Sequence, residues 1–163
     1  MHKAKIMIAR DDDGYNIKIE GRATFECSPP LKNFAENIIT GIISKIILDF
    51  RFCSWMDSTF MGTLAFLGLQ AKRKDVLVYI INIDNKNFKL LKELGIQNLF
   101  TFNEPHQFDL NINEWQNLNS KIANDTANTV LIAHKTLMSV DEQNIPRFQK
   151  VVELVKKEID ENK

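Results

Sequence analysis

The chain has 163 residues, 44% of them hydrophobic. That is enough for one domain with a real core and room for an appendage, and it excludes disorder throughout. Its 21 basic and 21 acidic residues cancel, which argues against a nucleic-acid module and against an electrostatic membrane anchor. Cys27 and Cys53 are far apart and form no CxxC pair, so neither a disulfide scaffold nor a zinc site is expected; with no signal-peptide pattern at the start and no apolar run near the roughly 20 residues of a spanning helix, the expectation is a soluble cytoplasmic protein.

Residues 4–10 read as a strand, with Ile6 and Ile8 alternating with smaller or polar neighbours. Asp11-Asp12-Asp13-Gly14 is turn chemistry, and Tyr15 to Glu20 alternates again, so the two runs predict a hairpin that Gly21 ends. Ser28-Pro29-Pro30 then blocks regular structure and opens a helix after it, whose apolar face is Leu31, Phe34, Ala35, Ile38 and Ile39, with Gly41 near its end. Lys45 to Phe50 is nearly continuous apolar sequence, as a covered central strand requires. A loop follows, and Ser58 to Arg73 reads as a second helix capped by Asp57 or Ser58. Met61, Leu64, Ala65 and Gly68 form one face of it; Phe60, Phe66 and Leu67 lie off that face, making the helix apolar over most of its circumference. Val76 to Ile81 is another apolar strand, Asn85 to Leu94 a third helix with Gly95 as its C-cap, and Leu99 to Phe102 a short edge strand. Strands alternating with helices predict an α/β fold: a mixed sheet with helices mainly on one side.

Residues 103–125 are polar and rich in Asn and read as a long connection. Ala127, Val130, Leu131, His134, Leu137 and Met138 then make a helical stripe, Asn144-Ile145-Pro146 breaks it, and Phe148, Val151, Val152, Val155 and Ile159 make another. A helical hairpin is expected over 126–163. Two helices alone bury little area, so the hairpin is expected to pack on the first domain or on a second copy, as a homodimer contact.

Enzyme signatures are lacking: there is no GxSxG, GxxxxGK, GxGxxG or HExxH. His2, His106 and His134 are widely separated, and His134 on an apolar stripe reads as a packed histidine rather than a base or ligand. Asp11 to Asp13 read as a solvated turn, since the flanking oxygen ligands of a calcium loop are missing. No catalytic residue, metal site or cofactor is predicted.

Ser58 carries two readings. As a helix-capping residue beside Asp57 and Thr59 it satisfies free backbone N–H groups. The same position suits a phosphate, which would meet unpaired N–H groups and the positive end of the helix dipole. It would add about −1.5 to −2 charges beside Asp57. Trp55, Met56 and Phe60 surround the serine; they are core, or, if exposed, a binding patch.

The apolar strand Ile46-Ile47-Leu48-Asp49-Phe50, the loop to Met56, then Asp57-Ser58-Thr59 and a helix with Gly62, Leu64 and Leu67 resemble the signature of STAS domains, which include the bacterial anti-sigma factor antagonists. The resemblance covers about residues 4 to 102, so the chain divides into a STAS domain at 1–102, a linker at 103–125 and a helical extension at 126–163. It implies Ser58 as phosphoacceptor, with Arg22, Thr24, Met56, Asp57, Ser58, Thr59, Phe60 and Gly62 as the partner-binding face. It also implies an anti-sigma factor that doubles as a serine kinase and binds the unphosphorylated form, a PP2C-type phosphatase that resets it, and no catalysis by the chain itself. Two departures stand out: Phe60 replaces a glycine common after Asp-Ser-Ser/Thr, and Gly21-Arg22-Ala23-Thr24-Phe25 lacks a usual aspartate. An unswitched STAS scaffold, as a subunit of a transporter or signalling complex, is the alternative; a hydrolase using Ser58 is a third class, for which no base is evident in sequence.

Overall fold

In the computed structural model the described residues are 4–37, 43–104, 108, 114–118 and 125–162. The strands are β1 (Lys5–Arg10), β2 (Gly14–Ala23), β3 (Lys45–Met56), β4 (Leu77–Ile81), β5 (Thr101–Phe102) and β6 (Gln116–Asn117). The helices are α1 (Ser28–Glu36), α2 (Ser58–Arg73), α3 (Asn85–Glu93), α4 (Thr126–Val140) and α5 (Asn144–Glu161), with a 3-10 turn at Gln97–Leu99. One sheet runs in the order β5-β4-β3-β2-β1-β6. β1 lies antiparallel to β2 and to β6, while β2, β3, β4 and β5 are parallel neighbours, as the crossover helices require.

The strand period of two sorts the side chains. Ile17, Ile19, Ile46, Leu48, Phe50, Val78 and Ile80 are buried in one cluster with Leu31 of α1, Leu64 and Leu67 of α2 and Leu91 of α3. On the other face Phe108 and Trp115 supply cover. Phe108 packs edge-on against Tyr79, and Lys18 stands over the Trp115 ring at 4.1 Å. The polar stretch read as a connection thus carries β6, whose neighbour Leu118 donates its N–H to the Ile6 carbonyl.

The first hairpin, α2, α3 and the β4 core lie where the sequence patterns place them. Five boundaries differ, the first being the edge strand expected over Leu99 to Phe102, which is strand only at Thr101–Phe102 because Leu99 closes the 3-10 turn. β2 does not stop at Gly21 but runs on to Ala23, because Gly21 takes a left-handed φ of 85° within an irregular stretch of the β2–β3 ladder. β3 continues through the expected loop to Met56, paired on one side with the extended β2. α1 begins earlier, at Ser28, with Pro29 and Pro30 in its first turn, where a missing N–H costs nothing; Ile38, Ile39 and Gly41, read into the same helix, lie outside the described residues. The α4 stripe ends at Asp141, and Asn144-Ile145-Pro146, expected as the break, forms the first turn of α5.

The two C-terminal helices form an outer layer. α4 packs along α2 and touches α1, and α5 packs on α4. Lys32 of α1 is buried and pairs with Asp125 at the start of α4 and with Glu36. At the turn, the buried Asn144 amide donates to the carbonyls of Leu94 (2.8 Å) and Leu137 (2.9 Å), and Arg147 donates to the Glu93 carbonyl.

Candidate functional site around Ser58

α2 starts where Asp57 caps it. Asp57 is extended, and its Oδ1 accepts from the Phe60 N–H at 2.8 Å. Its Oδ2 accepts from the Phe25 N–H, also at 2.8 Å, and its own N–H donates to the Ala23 carbonyl. One carboxylate therefore fixes both the helix start and the loop that follows β2. Ser58 is the first helical residue and is half-buried.

The remaining residues expected at this face divide. Arg22 is exposed, with its guanidinium stacked at 4.1 Å over the Trp55 ring; Thr24 is half-buried, and its carbonyl accepts from the Ser28 hydroxyl. Met56 and Phe60 are fully buried in the core and offer no surface. Phe60 is thus an anchor of α2 against the sheet rather than a feature of an exposed face. Thr59 and Gly62 are buried too. Over Gly62 lies the α4 backbone: a Cβ built on this glycine would stand 2.4 Å from the Ala133 carbonyl oxygen. Only a glycine permits that approach.

Next to Ala133, His134 reaches Ser58, with Nε2 3.0 Å from Oγ. The other ring nitrogen, Nδ1, lies 2.7 Å from the Val130 carbonyl. A carbonyl only accepts, so Nδ1 carries the proton and Nε2 of the neutral ring accepts from the Ser58 hydroxyl. Burial pushes the His134 imidazole below its ordinary value, a push partly offset by the Val130 hydrogen bond and the Asp57 charge. The ring is backed by Phe148 of α5 in an edge contact with centroids 5.0 Å apart.

Serine and histidine, 76 residues apart in sequence, are thus partners. The expectation of a packed His134 holds for its burial but misses this bond. The signal available in sequence was a histidine on the stripe of a helix whose other inward residues, Leu137 apart, are the small Thr129, Ala133 and Thr136. Chemically the pair lacks the third group of a triad: Nδ1 faces a carbonyl rather than a carboxylate. A groove of about 350 Å³ lined by Gly68, Lys72, Val78 and Phe100 lies at the far end of α2. Both cysteines are held as thiols by burial, Cys27 pushed up to about 11 and Cys53 to about 12. Among the described residues no group of three His, Cys, Asp or Glu side chains is placed to hold a metal ion, and no helix is long and apolar enough to cross a membrane. His2 and His106 lie outside those residues.

Known structures match the fold. The anti-sigma factor antagonist SpoIIAA in its unphosphorylated form superposes with a TM-score of 0.55 at 14% identity, over 63% of this chain and 90% of that one. This chain has the SpoIIAA-like STAS fold. The Bacillus cell fate determinant SpoIIAA in its phosphorylated form also matches the STAS fold found here, with a TM-score of 0.50 at 14% identity over 64% of this chain and 95% of that one. No family model and no curated protein sequence matches the chain. More than a third of the chain lies outside the STAS match, and the packed pair α4–α5 is the helical hairpin that the two apolar stripes led us to expect over 126–163.

Proposed function

We propose that this chain is an anti-sigma factor antagonist of the STAS type: a non-catalytic, cytoplasmic protein-binding switch governed by phosphorylation of Ser58. The observation that carries the proposal is the α2 start, where Asp57 caps the helix and leaves Ser58 half-buried at its first position. A phosphate there meets helix N–H groups and the positive end of the dipole, so the fold tolerates it while the surface changes. SpoIIAA, of the same fold, is an anti-sigma factor antagonist with an unphosphorylated and a phosphorylated form. The partners are an anti-sigma factor with serine kinase activity and a PP2C-type phosphatase, and the output is transcription.

The face they would read comprises Arg22, Thr24, Asp57 and Ser58 at the surface, with Gly62 beneath α4 and Met56, Thr59 and Phe60 as its buried support. The test is an affinity pull-down comparing Ser58→Ala with Ser58→Asp. Partner lists that differ support a switch at Ser58; identical lists sink it. The cover of α4 over Gly62 favours a second reading, an unswitched STAS scaffold within a larger assembly, and that is what identical lists would leave standing.

A further inference from the structure

The C-terminal hairpin occupies the side of α2 that carries Ser58 and Gly62. Ser58 and Gly62 are one helical turn apart, and each meets α4: Ser58 through His134, Gly62 through the Ala133 backbone. α4 presents Thr129, Ala133, His134, Thr136 and Leu137 inward. The hydroxyls of Thr129 and Thr136 donate back to the carbonyls of Asp125 and Ile132, so they ask nothing of α2 and leave it no competing bond. The polar bond that spans the two helices at this site is therefore the one from Ser58 to His134. The rest of the hairpin is tied at its ends, by Lys32 to Asp125 and by Asn144 to Leu94.

We infer that α4–α5 is a built-in cover for the Ser58 face, latched by the Ser58 hydroxyl, and that phosphorylation of Ser58 releases it. The inference rests on the reading of Ser58 as a phosphoacceptor. Esterification removes the proton that Ser58 gives to His134. In its place it sets a group of about −1.5 to −2 charges against the lone pair of a neutral imidazole and next to Asp57. The helices cannot absorb the added volume by a small shift, because at Gly62 the α2 and α4 backbones are already in contact. The modified chain is then the open one. That polarity is opposite to the one the family resemblance implies, in which the unmodified antagonist is ready to bind.

The experiment needs no kinase. Phosphoserine is placed at position 58 of the full chain during synthesis, and amide hydrogen exchange is compared with the unmodified chain. Gly62→Leu serves as a second probe, since its side chain drives into Ala133 and lifts α4 mechanically. The expected result is exchange over Thr126–Val140 faster by roughly tenfold or more in both altered chains, with β3 and β4 still protected. If phosphoserine leaves α4 protection unchanged or raises it, the phosphate is accommodated or clamped by His134 and the latch is refuted. Should Gly62→Leu unfold the whole chain, the phosphoserine comparison decides alone. Release of α4 by phosphoserine without any Ser58-dependent partner would uphold the latch and overturn the proposed switch.

Discussion

Gly62→Ala sets two effects of opposite sign against each other at one atom. In an open helix face, alanine for glycine stabilises by about 0.5–1 kcal/mol, because glycine loses more backbone freedom on folding. Here the new methyl would lie 2.4 Å from the Ala133 carbonyl oxygen and 2.7 Å from its Cβ. Backbone cannot swing aside as a side-chain tip does, so α4 must retreat by roughly half an ångström or more, and a gap of that size forfeits a quarter to a half of each contact's attraction. Overpacking of this kind costs about 1–3 kcal/mol. The packing term wins, and the net loss is about 1 kcal/mol, or about 2–4 °C in Tm for a chain of this size. A circular-dichroism melt of wild type and Gly62→Ala checks it. A variant that melts higher by a similar margin would mean that α2 is open at Gly62 in solution and that α4 does not rest there.

Two further outcomes follow from the α2 start. Asp57→Ala removes the acceptor of both the Phe60 and Phe25 N–H groups and should lower stability by about 1–2 kcal/mol in urea unfolding, with Asp57→Asn losing less; equal losses in the two variants would show that charge rather than capping geometry matters. Because burial holds His134 below its ordinary value of 6.5, the unfolded chain takes up that proton first, so the stabilising contribution is full above about pH 6.5 and is lost as pH falls from there through the depressed value. His134→Gln should flatten that acid limb of the urea midpoint, and an unchanged limb would assign it to other groups.

The sequence patterns reach α2 to the residue because three independent signals agree there: a capping Asp57, an apolar run and a basic end at Lys72 and Arg73. They stop short at β3 because its outer half changes chemistry. Arg51, Phe52 and Ser54 are exposed there, where β4 no longer pairs with it and the extended β2 does. A strand held by partner geometry rather than by burial leaves little hydrophobic period to read. The pairing of Ser58 with His134 was beyond any local pattern, since only the docking of α4 on α2 creates it. Gly62 and Gly68 within an otherwise bulky helix were the legible trace of a close neighbour, although glycine there also fits the STAS pattern and so hid the second cause. Lys32 and Asn144 are silent for a related reason: Lys32 looks like surface in a helix pattern and Asn144 like part of a break, and each is buried against an element distant in sequence.

The sheet ends on β5 and β6, each of two residues. A strand needs several free N–H and C=O groups in a row to recruit another strand, and neither end offers them. Among the described residues, edge-to-edge pairing is therefore disfavoured at both rims of the sheet. β3 is the one long strand that outruns its β4 neighbour, and there the Asn87 amide donates to the Cys53 carbonyl, taking an acceptor that an invading strand would need.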